Sequence, residues 1–226
     1  MHRYYEQRAS EYDDWYTRRG RYHDPATNAA WHAQVAELSR EITHYAHGLA
    51  EGPEVRVLDL ACGTGKWTPY LVRPLHEQAR LVAFDYSPAM LAQTRARLEE
   101  DDPELLMKTS FVRGDAYTLP FSDSSFDCVF FGFWLSHVPR ERVYPFLSEV
   151  KRTLRPGGQV LIFDSALLPG KAAENIQNRP LNDGSNYEVL KIYYTPVELQ
   201  AILGRLFQEA AVHQTRQYFI IGRAKL

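Results

Sequence analysis

Residues 57–65 read Val-Leu-Asp-Leu-Ala-Cys-Gly-Thr-Gly, and this stretch decides the fold. Its apolar start is typical of a strand buried on both faces, and the Gly-x-Gly turn lets a ligand approach the backbone closely. A dinucleotide fingerprint would continue with Gly or Ala where Thr68 stands, after the bulky Trp67, so NAD is disfavoured. A P-loop is excluded because Leu60 occupies its first glycine position and Trp67 follows Lys66, where Ser or Thr is required.

From residue 55 onward, short apolar runs alternate with segments of helical periodicity. Strands are predicted at residues 55–60, 81–84, 111–113, 126–131 and 160–163. Helices are predicted at residues 68–79, 87–100 and 140–154. Strict alternation predicts an α/β fold with a Rossmann-like, doubly wound sheet, in which ligand sites lie at the carboxyl ends of the strands.

The chain is expected to form a single domain with additions around a core at residues 51–164. Residues 1–50 are the expected N-terminal helical lid, where Tyr5, Tyr12 and Tyr16 recur at helical spacing. They form either an aromatic stripe packed on the core or a lid whose phenols also contact ligand. Residues 165–195, with turn signals and a strand-like stretch at 187–194, indicate an insertion covering the substrate. Residues 196–226 are expected to hold a helix to about residue 206 and a last strand at 217–221.

The composition is that of an ordinary folded domain. The 226 residues are 45% hydrophobic and carry 26 Lys and Arg against 28 Asp and Glu, so no global charge favours nucleic acid or an anionic membrane. The polar start lacks the apolar stretch of a signal peptide, which predicts a cytoplasmic protein. No metal site is expected, because Cys62 and Cys128 lie far apart and the pair His44 and His47 lacks a third ligand. No sequence pattern indicates an oligomeric state.

Two acidic residues follow neighbouring predicted strands. Asp85 ends the second strand, 20 residues after Gly65, where a carboxylate can accept hydrogen bonds from both hydroxyls of a ribose. Asp115 follows the third strand and is placed to meet an adenine amino group. The alternatives are that Asp85 caps the helix near Ser87 and that Asp115 only shapes a turn. Together with the glycine turn, these residues predict a nucleoside without phosphates, with S-adenosylmethionine (SAM) as the best fit.

The glycine turn, the positions of Asp85 and Asp115, and Leu-Arg-Pro-Gly-Gly at 154–158 resemble the class I SAM-dependent methyltransferases. The resemblance implies a seven-stranded sheet whose last strand is antiparallel, with SAM across its carboxyl edge and S-adenosylhomocysteine (SAH) as product. It implies cofactor contacts from Tyr12, Ala61, Gly63, Gly65, Trp67, Asp85, Tyr86, Met90, Asp115, Ala116 and Phe131.

A narrower resemblance spans nearly the whole chain. Motifs at residues 4–13, 63–68, 134–139 and 181–191 are similar to those of the phosphonate O-methyltransferase of dehydrophos biosynthesis. This implies O-methylation of a small acidic metabolite, phosphonate or carboxylate, in bacterial natural-product biosynthesis. Phe133 departs from that enzyme's pattern, which has a second His there, and this speaks against a two-histidine mechanism.

Several residues are candidates for handling the methyl acceptor. His137 follows the fourth strand and is the candidate general base for a hydroxyl or amine, the alternative being a packed structural imidazole. Arg179 and Lys191 can clamp an anion unless they are ordinary solvated charges, and Tyr5 can donate a hydrogen bond from the lid. Tyr16 is the further candidate for substrate binding.

Three other functions stay open: N- or C-methylation of a small molecule, nucleic-acid methylation, and SAM binding without catalysis. Nucleic-acid methylation is disfavoured because residues 131–134 lack the Asn/Asp-Pro-Pro-aromatic motif and no basic stripe is present.

Overall fold

The computed structural model describes residues 2–49 and 52–226, so the expected boundary between lid and core at residues 50 and 51 lies outside the described residues. The strands are β1 (Arg56–Leu60), β2 (Arg80–Asp85), β3 (Thr109–Arg113), β4 (Phe126–Gly132), β5 (Leu154–Ser165), β6 (Glu174–Pro180), β7 (Asn186–Ile192), β8 (Glu209–Gln214) and β9 (Phe219–Lys225). Seven of them form one sheet in the order β3-β2-β1-β4-β5-β9-β8, and β6 pairs with β7 in a separate hairpin.

The main sheet has the predicted doubly wound topology. Strands β1 to β5 are parallel to one another, whereas β9 is antiparallel to both β5 and β8. The seven strands and the antiparallel last strand are therefore confirmed. The carboxyl ends of β1, β2, β3 and β4 meet along one edge, where the prediction places the ligand.

The helices are α1 (His2–Arg8), α2 (Asp14–Thr17), α3 (Asn28–Leu49), α4 (Thr68–Val72), α5 (Pro88–Asp101), α6 (Glu104–Met107), α7 (Arg140–Thr153) and α8 (Pro196–Leu203). They cover both faces of the sheet. Successive residues of a strand point to opposite faces, so Val57 belongs to the same buried cluster as Leu38 of α3, whereas Leu58 belongs to the cluster that contains Phe146 of α7. Sheet burial on both faces explains the continuous apolar runs of the strands.

The structure differs from the prediction in several elements. The helix expected at residues 68–79 ends at Val72, because Pro74 has no backbone N–H with which to continue the helical hydrogen bonds. The helix expected to reach residue 206 ends at Leu203. Strands β6 and β8 and the short helix α6 were not predicted, since β8 is only half-buried and β6 is polar. None of the described helices is long and apolar enough to cross a membrane.

The N-terminal segment (residues 2–49) begins with two short helices, α1 and α2, separated by a 3₁₀ turn at Ala9–Glu11, and ends with the long helix α3. Despite the break, the ring centroids of Tyr5 and Tyr12 lie 6.2 Å apart and those of Tyr12 and Tyr16 lie 6.0 Å apart. The segment bridges two parts of the fold: Glu6 accepts hydrogen bonds at the start of α5, and Glu11 accepts one from the backbone of Asn182 in the β6–β7 turn. It therefore covers the carboxyl edge of the sheet.

Candidate active site

A cavity opens where the first four strands end, and we name it the nucleoside cavity. Nine predicted site residues line it: Tyr5, Tyr12, Ala61, Gly63, Asp85, Tyr86, Met90, Asp115 and Ala116. The predicted glycine turn follows β1, and its backbone is left-handed at Gly63, with φ of 59°. Ala61 and Phe133, which follow β1 and β4, adopt φ of 56° and 59°. Non-glycine residues are rare in this region, and such strain is concentrated at binding sites.

Asp85 supports the start of α5 and also lines the nucleoside cavity. Its Oδ1 accepts a hydrogen bond from the backbone N–H of Ser87 at 2.9 Å, so it supports the start of α5. Its Oδ2 accepts from the N–H of Gly63 at 2.9 Å, and the side chain also lines the cavity. Burial raises the pKa of Asp85, while the N–H donors of Ser87 and Gly63 act to lower it. Oxygens fixed in this way keep lone pairs for the hydroxyls of a sugar.

The chemistry of the nucleoside cavity suits a cation and not a phosphate. Asp85 and Asp115 both line it, and none of its described lining residues is Lys or Arg. Phe84, Met90 and Ala116 are buried apolar side chains that offer flat contact to an aromatic base. Two carboxylates and an apolar wall fit the ribose, adenine and positively charged sulfonium of SAM, whereas a pyrophosphate would be repelled.

Three predicted cofactor residues do not line this cavity. A Cβ at Gly65 would lie 2.9 Å from the Cα of Thr94, so Gly65 is needed for close packing of the turn against α5. Trp67 instead lines a smaller cavity that shares Tyr12 and Gly63 with the nucleoside cavity, and its Nε1 donates to the hydroxyl of Tyr16 at 3.3 Å. Phe131 is fully buried on the opposite face of the sheet, with its ring centroid 5.3 Å from that of Phe146.

A second cavity of about 600 Å³ lies between the N-terminal segment and the β6–β7 hairpin, and we name it the acceptor cavity. It shares Tyr5, Tyr12 and Phe133 with the nucleoside cavity, so the two spaces adjoin at these rings. Burial raises the pKa of Tyr12 to about 12 and raises that of Tyr5 even further. Both phenols therefore keep their protons at neutral pH and can donate hydrogen bonds.

Arg8 is a residue of the acceptor cavity that the sequence analysis did not single out. Its guanidinium is buried, donates from Nη1 to the hydroxyl of Tyr4 at 2.6 Å and from Nη2 to that of Tyr22 at 3.2 Å, and lies 4.7 Å from the ring centroid of Tyr12. Within the described part of the chain, no carboxylate forms an ion pair with it. A signal was present: Arg8 follows Tyr4 by four positions and precedes Tyr12 by four, so it sits among the tyrosines.

Lys191 and Arg179, the two cations predicted to clamp an anion, differ in their partners. Lys191 is buried and paired, because its Nζ donates to Ser136 Oγ at 2.6 Å and to Asp164 Oδ1 at 3.1 Å. Burial lowers the pKa of Lys191, against the attraction of Asp164. Arg179 also lines the cavity, but its hydrogen-bond partner is the side-chain amide oxygen of Gln177. The structure thus brings both residues to the cavity, with Lys191 already neutralised.

His137 lies in a 3₁₀ turn at Leu135–His137, directly after β4, and its ring lines the acceptor cavity. Its Nδ1 is 2.7 Å from the carbonyl oxygen of Leu190, and its ring centroid is 5.9 Å from that of Tyr5. Burial, followed by the positive charges of Lys191 and Arg179, holds the pKa of His137 well below its usual range. The ring is therefore neutral, and it can accept a proton or a hydrogen bond.

Tyr16, the remaining substrate candidate, lies outside the acceptor cavity. It is buried, and its backbone oxygen accepts a hydrogen bond from Trp31 Nε1 at 3.1 Å. Its ring packs against Trp67 and Phe133, so the structure supports the aromatic-stripe alternative for this tyrosine.

Comparison with known proteins agrees with this geometry. Residues 57–158 match the family model described as a methyltransferase domain. A structure of DhpI bound to SAH is 28% identical with a TM-score of 0.69, covering 98% of this chain and 92% of that one. A complex of DhpI with SAM and HEP is 27% identical with a TM-score of 0.71, covering 99% and 95%. The class I fold and SAM as cofactor are thereby confirmed, and the similarity to DhpI extends over nearly the whole chain.

The curated relatives match a shorter part of the chain. The demethylmenaquinone methyltransferase of Bacillus cereus (strain ATCC 10987 / NRS 248) is 34% identical over 114 residues, which are 50% of this chain and 46% of that protein. The enzyme of the same name from Lactococcus lactis subsp. lactis (strain IL1403) is 36% identical over 110 residues, 49% and 42% of the two chains. The chain spans less than half the length of these curated relatives.

Proposed function

Because the chain belongs to the class I SAM-dependent methyltransferases, we propose that it transfers the methyl group of SAM to an oxygen of a small acid, a phosphonate or a carboxylate. The observation that carries the proposal is the acceptor cavity. It adjoins the nucleoside cavity at Tyr5, Tyr12 and Phe133, and it contains two guanidinium groups, Arg8 and Arg179, that have no carboxylate partner among the described residues.

An acid is favoured as the acceptor because an anion would neutralise the unpaired guanidinium groups of Arg8 and Arg179. Burying an unpaired charge is expensive, and a bound phosphonate or carboxylate would pair with Arg8 and Arg179 while it accepts their free N–H groups. Lys191 adds little net charge, since Asp164 already neutralises it. An uncharged acceptor would leave both guanidinium groups without a counter-ion.

SAM, when bound, supplies an activated methyl group on its sulfonium sulfur. The protein's part is to hold the acceptor oxygen in line with that carbon and to exclude water. Tyr5, Tyr12 and Phe133 surround the point where the two cavities meet, so they are placed to do both. Arg8 and Arg179 orient an acid whose oxygen is already ionised at pH 7 and therefore needs no base.

His137 then has a secondary role. Its neutral ring can accept a hydrogen bond from a hydroxyl of the acceptor, and it would act as general base only if the attacking oxygen carried a proton. Tyr5, whose phenol keeps its proton, is proposed to donate a hydrogen bond to the acid. The full-length similarity to DhpI, which has been studied in a complex with SAM and HEP, supports a small-molecule acceptor. We further propose that the reaction belongs to bacterial natural-product biosynthesis and takes place in the cytoplasm.

A second candidate is N- or C-methylation of a small intermediate. The observation in its favour is the similarity to proteins named demethylmenaquinone methyltransferases, which is higher in identity than that to DhpI but covers half of the chain. For this candidate, neutral His137 would take the proton that an amine or an activated carbon must lose.

The proposal is tested by titrating ethylphosphonate, propionate and ethylamine into SAH-saturated protein and by assaying their methylation with SAM. Wild type should bind an acid, and Arg179→Gln should weaken that binding at least tenfold without changing the affinity for SAH. Arg140→Gln is the matched control, because Arg140 pairs with Glu174 and Glu198 outside both cavities. Binding and methylation of the amine alone would favour the second candidate.

A further inference from the structure

Arg179 belongs to a short hydrogen-bonded chain on the wall of the acceptor cavity. Its Nε and Nη2 donate to Oε1 of Gln177 at 3.2 and 2.7 Å. The amide nitrogen Nε2 of Gln177 donates in turn to the hydroxyl of Tyr193 at 2.9 Å. All three side chains line the cavity. The partners on both sides of the amide fix its orientation, so the oxygen faces the guanidinium.

The neutrality of this partner distinguishes Arg179 from most arginines of the fold that form side-chain hydrogen bonds. Arg97, Arg140 and Arg152 each pair with one or more carboxylates, and Lys191 of the same cavity pairs with Asp164. A carboxylate would hold a guanidinium equally well, but it would cancel the charge that attracts an anion. An amide oxygen holds it through two N–H groups and leaves its full charge and its Nη1 group for a ligand.

We infer that Gln177 is a positioning residue for the acceptor: it turns the Arg179 guanidinium toward the cavity while leaving its charge uncompensated. The inference rests on the proposed function, since it assumes that the acceptor is an anion. Arg8 follows the same rule, because its partners are the neutral hydroxyls of Tyr4 and Tyr22. Both cations that are free to bind an acid are thus held by uncharged groups.

Two substitutions at Gln177 test separately the free charge of Arg179 and the hydrogen bonds that hold it. Gln177→Glu keeps the length of the side chain and its bonds to Arg179, and the Tyr193 hydroxyl can rotate to donate to the new carboxylate, but the charge of Arg179 is cancelled. Gln177→Ala removes the hydrogen bonds and keeps the charge. Asn186→Asp is the control, because it adds the same charge at an exposed position of the same hairpin, outside the acceptor cavity.

The probe is ethylphosphonate, titrated calorimetrically into each SAH-saturated variant, with the melting temperature and SAH affinity measured alongside. We expect Gln177→Glu to weaken ethylphosphonate binding at least tenfold, Gln177→Ala to weaken it two- to fivefold, and Asn186→Asp to leave it within twofold. In methylation assays of the same probe, Gln177→Glu should raise KM by the same factor and leave kcat within threefold.

The failure of this inference differs from the failure of the proposed function. If wild-type protein binds no acid, the proposed function is wrong. If wild type and Gln177→Glu bind ethylphosphonate equally well, the inference is overturned. It is also overturned if Gln177→Glu and Gln177→Ala weaken ethylphosphonate binding equally and lower the melting temperature equally, because Gln177 would then have a structural role only.

Discussion

The Nδ1 atom of His137 donates to the carbonyl oxygen of Leu190 across 2.7 Å, which determines the tautomer of the ring. A carbonyl oxygen can only accept, so Nδ1 carries the proton and Nε2 carries a lone pair. Leu190 is in β7, and this bond therefore also joins the loop after β4 to the hairpin that covers the acceptor cavity.

The neutrality of His137 predicts its pH titration. Burial and the charges of Lys191 and Arg179 disfavour the imidazolium, so the ring should stay neutral with its proton on Nδ1 from pH 8 down to below its ordinary pKa of about 6.5. Nitrogen NMR of the histidine side chains, with His137→Gln to assign the signal, measures this directly. A His137 signal that titrates at about pH 6.5 or higher would contradict the burial argument.

The two glycines of the turn after β1 should respond differently to substitution. Gly65→Ala places a methyl group 2.9 Å from the Thr94 backbone at φ of 72°, so we expect a loss of about 3 kcal/mol in the free energy of unfolding. Gly63→Ala meets no atom within 4 Å, so we expect a loss of about 1 kcal/mol from its left-handed backbone.

The effects on SAH affinity should rank the other way, with Gly63→Ala more damaging than Gly65→Ala. Gly63 lines the nucleoside cavity and Gly65 does not, so Gly63→Ala should weaken SAH binding about tenfold, which is equivalent to about 1.4 kcal/mol. Folded Gly65→Ala should bind SAH nearly as wild type does. Chemical denaturation and calorimetry of both variants check the pair, and equal effects on both quantities would refute the distinction.

The buried carboxyl group of Asp59 should make the free energy of unfolding depend on pH. It is buried in β1 with Thr68 Oγ1 donating to it at 2.6 Å, and burial raises its pKa to about 7. Between its ordinary pKa and pH 7, the folded state holds this proton and the unfolded state does not, so stability falls as the pH rises. Above pH 7, Asp59 is ionised in the folded state as well, and the destabilisation caused by its buried charge is complete.

Asp59→Asn removes this dependence, because the amide oxygen can still accept from Thr68. From pH 5 to pH 7, the stability of wild type relative to Asp59→Asn should fall by roughly 2 to 3 kcal/mol, at about 1.4 kcal/mol per pH unit. Urea denaturation of both proteins without ligand at each pH measures the difference. Parallel pH profiles would show that Asp59 is not protonated in the fold.

The N-terminal segment should control the exchange of SAH. Asp13 accepts from Thr64 Oγ1 at 2.7 Å and pairs with Arg97, so it joins the segment to the turn after β1 and to α5. Because Tyr5 and Tyr12 of the same segment line the nucleoside cavity, we expect the segment to open before SAH leaves. Asp13→Ala should raise the SAH dissociation rate severalfold in stopped-flow experiments.

The stability effect of Asp13→Ala should be small, about 1 kcal/mol or less, because the ion pair is partly exposed. Asp101→Ala is its control, since Asp101 at the end of α5 pairs with Arg73, which follows α4, away from the segment. If both variants release SAH at the wild-type rate, Asp13 does not hold the segment closed.

The sequence predicted those features that depend on local pattern. Strands buried on both faces are continuous apolar runs, and Asp85 and His137 follow such runs directly, so both could be placed at the carboxyl edge. Six of the nine predicted residues in the nucleoside cavity lie at the ends of β1, β2 and β3, and they meet because parallel strands end at the same edge. The other three come from the N-terminal segment and α5.

The features that the sequence did not predict depend on contacts between distant parts of the chain. Arg8 and Arg179 meet only because α1 lies against the β6–β7 hairpin, and the strand carrying Gln177 and Arg179 alternates polar residues that resemble a loop. The burial of Lys191 depends on Asp164, at the end of β5. Gly65 belongs to the motif, yet its role is to pack against Thr94, which no local pattern indicates.

The most direct test of O-methylation of an acid follows the methyl carbon itself. The protein is incubated with SAM labelled with ¹³C in its methyl group and with ethylphosphonate, propionate and ethylamine together, and the products are identified by ¹³C NMR. We expect label in an O-methyl ester of an acid, with one SAH formed per ester, and loss of this product in Arg179→Gln. Label only on nitrogen or carbon, with Arg179→Gln as active as wild type, would contradict it.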